Sequence, residues 1–425
     1  MEITHKSSPR LGEKYTKIIF DSGLTAFIIH KNHISSYAIF GVNFGSADCK
    51  FLSPEGKVKT FPAGIAHFLE HKMYETKDGD AMIQYALYGG DANAYTAGDR
   101  TMFYFLSSES FYENLEVLIN HVTHPHITKK SVEKEKAIII QEINMYNDNP
   151  SWRVRNNMMK CLYGNSSISR DPAGSSESIM AISKKTLDDC YKTVYNLSNM
   201  VLCVCGNIDE IEFVRKVENL TEKSQSTVFT RVDETPENKV LSECIDYMDI
   251  SLPVFSVGVR FPSPRTKEGV REFAAVEIIM SLLFDKTTAF YYNNYHSGEF
   301  ERLSFSYQTM RKAFFGEISG LSKNPRGLFE KIKEHITAVK ETGFSDTDFQ
   351  RAKKALYADT ICDYDSVENI ADTFVSFYFE GDDMLDYPDI VANLTKDYTE
   401  ECLRRLFDIN NMCLSVIFPK KEVNS

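Results

Sequence analysis

A single Trp is all the chain holds of that residue, and several other features are scarce or missing in its 425 residues. No run approaches the roughly 18 apolar residues of a membrane-spanning helix, which excludes that class. Basic residues are outnumbered, 48 Lys and Arg against 60 Asp and Glu, for a formal charge of −12. That balance argues against a nucleic-acid backbone or an anionic membrane as the main partner. Neither G-x-G-x-x-G nor G-x-x-x-x-G-K-[ST] occurs, so dinucleotide and P-loop sites have no basis here. The nine cysteines are odd in number and scattered, and the one close pair, Cys203 and Cys205, sits at strand alternation. Reduced thiols are expected, not a disulfide framework. The start, MEITHKSSPRLGEKYTKIIF, lacks the apolar core of a signal peptide. Together these absences predict an acidic cytoplasmic protein. Core material is plentiful, with 29 Phe and 22 Tyr, and 43% hydrophobic with 25% charged residues is ordinary globular composition.

The length allows two or three domains at roughly 150 residues each. Residues 222–245 are polar, lack helical periodicity and carry Pro236, as a linker would. The flanking pieces resemble each other. CYKTVYNLSNMVL from Cys190 and CLRRLFDINNMCL from Cys402 align without gaps and end in Asn-Met-x-Leu, at Asn199–Leu202 and Asn411–Leu414. Gly-Val-x-Phe occurs near the front of each piece, at Gly41–Phe44 and Gly258–Phe261. Offsets of 212 and 217 residues are too long for a solenoid and fit a duplicated domain. The predicted layout is an N-terminal domain over 1–225, a linker over 226–245 and a C-terminal domain over 246–425. Each domain opens on strands such as TAFIIH and SYAIFGVNFG, has a helix-rich middle and closes on a strand, NMVLCVCG or NMCLSVIF. Strand–helix alternation is too irregular for a doubly wound sheet. The predicted class is α+β, two duplicated α/β-sandwich domains, each a largely antiparallel sheet packed with helices.

The most informative stretch is PAGIAHFLEHKMYET, residues 62–76. Pro62 suits a helix first turn, and Ile65, Ala66, Phe68, Leu69 and Met73 supply an apolar body. Within it stands H-x-x-E-H, from His67 to His71. At about 100° per residue the two histidines lie roughly 40° apart, with Glu70 roughly 60° to the other side of His67. Two imidazoles one turn apart can share one Zn²⁺, and a carboxylate beside them can take a proton from water. The plain alternative is two structural histidines and an exposed Glu. A catalytic zinc needs a third protein ligand. Residues 128–148 are the best source, a helix capped by Thr128 and stopped by Asn147–Pro150. Its apolar residues, Val132, Ala137, Ile138, Ile139, Ile140 and Ile143, run nearly all round, so burial of the central turns is expected. One stripe reads Val132, Glu135, Ile139, Glu142, Tyr146. Two carboxylates on an interior stripe must pair with buried Lys or Arg, or coordinate a metal. A rival cluster, His121, His124 and His126, lacks shared-face spacing and reads as a helix terminus with one or two solvated histidines. YYNNYHSG around His296 reads as a surface or interface turn.

Inverted H-x-x-E-H marks the inverzincins. Taken with the motifs C-terminal to it, the chain resembles the pitrilysin, insulysin and mitochondrial processing peptidase family of zinc metallopeptidases, short bacterial type. In that family a second glutamate completes the metal site, preceded seven residues earlier by another acidic residue. Glu142, 75 residues after His67, and Glu135 match those positions. GGDANAYTAGDRTMFYF resembles the family's G-x-x-N-A-x-T strand, which pairs with substrate and carries that role onto Asn93 and Ala94. QEINMYNDNP, the AGSSESI loop around Gly174 and YNLSNMVLCVCGNID are also typical. The resemblance covers residues 15–215 by motif and the second half by architecture alone. One departure is that many members carry an Arg and a Tyr seven residues apart in a non-metal domain. Here EFERLSFSYQ places Phe300 seven residues before Tyr307, and Arg302 five before.

The resemblance implies a zinc endopeptidase with one Zn²⁺ per chain held by His67, His71 and Glu142, Glu70 as base and Glu135 behind the ligands. Peptide would bind as an added strand at Asn93 and Ala94 in an enclosed chamber, with Tyr307 a further contact. It also implies a dimer, with a related chain lacking the motif or with a second copy. Leader processing in bacteriocin maturation and general peptide clearance are both compatible substrate classes. A substrate-binding subunit of a two-chain protease is the competing reading, as is a structural zinc, although no cysteine lies near either helix.

Overall fold

The computed structural model describes residues 1–221, 229–234, 236, 239–262, 268–310 and 313–420; residues 226–228, 235, 237 and 238 of the expected linker lie outside these. By internal packing the chain divides into two units, neither contiguous. One comprises 1–143, 171–233 and 361–386, the other 144–170, 234–360 and 387–425. A contiguous split around 226–245 therefore differs from the packing in two segments, 144–170 and 361–386.

The first unit is built on a seven-stranded sheet. Its strands are β1 (Glu2–Ser8), β2 (Glu13–Ile19), β3 (Thr25–His30), β4 (Ser36–Val42), β5 (Gly90–Thr96), β6 (Thr101–Ser107) and β7 (Met200–Gly206), in the order β1-β2-β3-β7-β4-β6-β5. All pairs are antiparallel except β3 with β7. The second unit carries β8 (Glu243–Met248), β9 (Val254–Phe261), β10 (Arg302–Met310), β11 (Ala313–Leu321) and β12 (Met412–Pro419), in the order β8-β12-β9-β11-β10. Here too one pair alone is parallel, β8 with β12. The order β3-β7-β4-β6-β5 thus recurs strand for strand in the second sheet, as the duplicated sequence motifs predict, and the class is α+β.

Central strands β4 and β7 are buried along their whole length because both faces of the first sheet are covered. On one face Ala26, Ile28, Phe40, Leu202 and Val204 join the helices that carry Phe68, Leu69 and Leu118. On the other, Phe27, Ile39, Val201 and Cys203 meet Ile370, Phe374 and Val375. Those last three belong to a helix at Val367–Glu380, from the crossing segment 361–386. In the second unit the helix Pro150–Tyr163, from the other crossing segment, lies on β9 and β12.

The repeated Gly-Val-x-Phe now has a physical reason. A Cβ on Gly41 would come within 2.9 Å of Val375 and Phe379, and one on Gly258 within 2.8 Å of Met158 and Leu162. Each glycine is the bare floor on which its sheet receives a helix. Gly41→Ala and Gly258→Ala are each expected to cost about 1–3 kcal/mol by overpacking, read as a lower urea midpoint at unchanged slope. A loss under about 0.5 kcal/mol, the level of an ordinary surface change, would remove the close-approach argument. Among the described residues no helix is long and apolar enough to cross a membrane.

Candidate metal centre

Helix α1 (Ile65–Met73) begins three residues after Pro62, later than the sequence implies. Its N-cap is Gly64 at φ 83°, where a Cβ would sit 2.5 Å from the Ala173 carbonyl oxygen, so only glycine allows this start. The apolar body packs Ile65, Phe68, Leu69 and Met73 into the core, and Glu70 and Lys72 are buried with them.

Helix α2 (Lys129–Asn147) supplies the second wall. Thr128 caps it: its Oγ1 accepts from the Ser131 amide at 3.1 Å, and Ser131 Oγ accepts from the Thr128 amide at 3.3 Å. Its buried residues are Val132, Glu135, Lys136, Ile139 and Ile143. The expectation of burial nearly all round is corrected, since Ala137 and Ile138 are exposed. One stripe alone packs inward, and it is the stripe that carries Glu135 and Glu142.

Six side chains converge within the first unit. Glu142 sets one carboxylate oxygen 3.7 Å from His67 Nε2 and the other 3.5 Å from His71 Nε2. A tetrahedral centre with bonds near 2.0–2.1 Å wants its donors only slightly closer together. His71 Nδ1 meets Glu135 Oε1 at 3.0 Å, which turns Nε2 toward Glu142. Glu135 also accepts from Lys72 Nζ at 3.3 Å, and Lys72, fully buried, pairs with Glu75 as well. Glu70 faces the same space from one residue before His71 and accepts from Thr96 Oγ1 at 2.5 Å.

Burial is the largest influence on these groups, and their partners decide the outcome. It pushes the His67 pKa down to about 3, aided by neighbouring His71, so the ring is neutral and free to offer a lone pair. Burial would also lower His71, but the bond to Glu135 and the charges of Glu70, Glu135 and Glu142 outweigh it and hold the pKa above its ordinary value. Burial lifts Glu70 above the usual carboxylate range, opposed by Thr96 and His71. For Glu135, burial loses to His71 and Lys72, and the carboxyl titrates low. Three carboxylates face two imidazoles and one ammonium. Two nitrogens and one oxygen that can approach one point, with an excess of negative charge, fit a divalent cation of the zinc type; His67, His71 and Glu142 are such a group among the described residues.

Two participants were not singled out from sequence. Thr96 was signalled by strand alternation, since it shares with Ala92 and Ala94 the face of β5 turned to α1. Lys72 was signalled by its place four residues after Phe68 on an apolar stripe. Asn93 lies exposed on β5, its Oδ1 accepting from the Ala94 amide at 2.8 Å, while Ala94 packs against the core. Tyr307 lies on β10 of the other unit, where its hydroxyl and that of Tyr387 both donate to Glu277. Arg302 opens that strand, exposed. The His121 cluster is a helix terminus, as the sequence predicts, and its one inward member is His121, buried, bonded to the Tyr85 hydroxyl at 3.0 Å and stacked on Tyr74. His124 is exposed, and His296 ends an exposed helix, Ala289–His296, where a turn was expected.

Comparison with known proteins finds relatives for both halves of the chain. Residues 60–174 match Insulinase (Peptidase family M16), and residues 181–356 match the Peptidase M16 inactive domain. The uncharacterised zinc protease YmfH of Bacillus subtilis (strain 168) is 31% identical over 409 residues, covering 94% of this chain and 95% of its own. The structure of an M16-like protein from Alicyclobacillus acidocaldarius is similar at a TM-score of 0.93 and 27% identity, over 97% of this chain and 100% of that one. Pitrilysin shares the fold at a TM-score of 0.75 and 18% identity, over 98% of this chain but 46% of pitrilysin.

Proposed function

Because the chain belongs to peptidase family M16, we propose that it is a zinc-dependent endopeptidase acting on peptides bound as an extended strand. The observation that carries this is the convergence of His67, His71 and Glu142 beside a carboxylate, Glu70, that none of them uses. His67 and His71 would hold one zinc through ring nitrogens, and Glu142 through a carboxylate oxygen. When bound, zinc supplies a Lewis acid that polarises the peptide carbonyl and makes water a stronger acid. Glu70, held in place by Thr96, accepts the proton of the attacking water and returns it to the leaving amine. Glu135 orients His71 and is itself steadied by Lys72. The substrate lies along β5, which among the described residues pairs with β6 alone. An arriving strand takes up the unpaired edge, and a peptide carbonyl replaces Asn93 Oδ1 on the Ala94 amide.

Precursor peptides with unfolded leaders are the substrate class such an edge accepts. The chain spans less than half of pitrilysin, and a facing chain, motif-less or identical, would complete a comparable enclosure. Cleavage of an unstructured peptide should vanish on chelation and return with stoichiometric zinc, and solution mass measured on the same sample reports the assembly. Undiminished cleavage after the metal has been stripped would overturn the reading.

A further inference from the structure

Strand β5 presents two faces, and the metal centre uses one. Ala92, Ala94 and Thr96 point toward α1; Asp91, Asn93 and Tyr95 point the other way, beside Tyr104 and Leu106 of β6, which lie opposite Asn93 and Asp91 in the ladder. On this second face, within the first unit, a cavity of about 410 Å³ opens between the end of the sheet and the helix Val367–Glu380. That volume is at the small end of ligand pockets, roughly 300–1,000 Å³, and suits one long side chain with water.

The chemistry of the lining has one sign. Asp91, Glu368 and Asp372 supply carboxylates, Tyr95 and Tyr104 supply ring faces with centroids 6.4 Å apart, and among the described residues no Lys or Arg lines the cavity. The Tyr95 hydroxyl donates to Asp372 at 2.7 Å, which leaves the other carboxylate oxygen to a ligand. Burial first, then Asp372, Asp91 and Glu368, hold the Tyr104 hydroxyl above its ordinary pKa, so the three carboxylates act on one spot. One cation, Arg100, faces Tyr95 but is engaged by Asp99 at 3.5 Å and Glu380 at 3.8 Å. Ring faces and carboxylates around one space favour an organic cation, through cation–π attraction and charge-assisted hydrogen bonds.

The position of the cavity says how a cation would arrive. Side chains directly opposite each other on paired strands share a face of the sheet. A peptide added to the free edge of β5 would therefore send residues opposite Ala94 and Thr96 toward α1, and residues opposite Asp91 and Asn93 toward the cavity. We propose that this cavity is a specificity site for a lysine or arginine side chain of the bound peptide, at the register facing Asp91 and Asn93. The proposal rests on the reading of β5 as the peptide-binding edge. It combines a cavity, aromatic faces and a strand register, so it does not depend on the acidic groups alone.

The test uses the full-length, zinc-loaded chain with Glu70→Gln, so that peptides bind without turnover. Fluorescein-labelled decapeptides of Ala and Thr carry a single Lys, or a single norleucine of similar length, walked along the chain. Lys is expected to bind about tenfold more tightly than norleucine at one register, and more weakly so two residues away, in keeping with a partly exposed cation–π and ion-pair site. Adding Glu368→Gln and Asp372→Asn should bring that ratio near one while the norleucine peptides bind as before. Asp91→Asn with Glu368→Gln, both at exposed positions, gives the same comparison without disturbing the Tyr95–Asp372 bond. Equal binding of Lys and norleucine at every register, or a preference that survives both double variants, overturns the proposal. Hydrolysis by the unsubstituted chain separates it from the peptidase reading. Cleavage without any Lys preference sinks the cavity proposal alone, and a Lys preference in binding without cleavage sinks the peptidase reading alone.

Discussion

Glu70→Gln is expected to lower hydrolysis of an unstructured peptide by about 10²–10⁴-fold while leaving zinc content and unfolding midpoint unchanged. Gln has nearly the volume of Glu, so the buried position on α1 is filled as before and Thr96 keeps a polar partner. An amide oxygen does not accept a full proton from water, which is the step assigned to this carboxylate, and general-base catalysis supplies a factor of that size. Thr96→Val provides the contrast. It removes the hydrogen bond that holds the base but not the base, so kcat should fall far less than in Glu70→Gln. Metal analysis and a thermal melt accompany the kinetics, because a loss of zinc would produce the same inactivity for a different reason. If more than a few per cent of activity survives with the metal in place, the proton goes elsewhere.

The two halves of the molecule were legible in the sequence to different depths. H-x-x-E-H and the stripe from Val132 to Tyr146 could be placed from helical geometry because each is local, a matter of which residues share a face within one element. The duplication could be seen because matching sequence, Gly-Val-x-Phe and Asn-Met-x-Leu, sits at matching strands, β4 with β9 and β7 with β12. What sequence could not show is which half each of two helices serves. Pro150–Tyr163 lies on β9 and β12, and Val367–Glu380 lies on β7 and β4, each packing with a sheet distant in the chain. Amphipathic periodicity reports that a helix has a buried face, not what covers it.

The same limit explains the site residues that went unremarked. Lys72 lies on the apolar stripe of Phe68, but its partner Glu135 is 63 residues away, and Thr96 shares a strand face with Ala92 and Ala94, but α1 is what brings Glu70 against it. The burial expected all round α2 failed for a related reason. A run of isoleucines at 138–140 raises the apolar content of every face, whereas packing is decided by the single stripe that meets α1. The His121 cluster does form a helix end, with His124 exposed. Which of the three histidines turns inward was not legible: His121 packs between Tyr85 and Tyr74, and burial pushes its pKa down to about 3.

Glu142→Gln should abolish stoichiometric zinc binding, with the affinity reduced by more than the roughly 10–100-fold that follows loss of a partner behind a ligand. The carboxylate is the one anionic member of the donor set and stands 3.7 and 3.5 Å from the two imidazole nitrogens. Replacing it with an amide removes the charge that a divalent cation needs most and leaves two neutral rings, one turn apart on a single helix. The fold should tolerate the change, since Glu142 is half-buried on α2 and the stripe around it stays apolar at Ile139 and Ile143. Glu135→Gln serves as the graded control. It gives His71 Nδ1 a neutral acceptor in place of a charged one and leaves Lys72 with Glu75 as its charged partner, so zinc should bind more weakly but still near one per chain at saturating metal. Competition against a chromophoric chelator ranks the three proteins, and the expected order is unsubstituted chain, Glu135→Gln, Glu142→Gln. Were the last to hold zinc as tightly as the first, Glu142 would leave the ligand set, and the convergence of α1 and α2 would need another account.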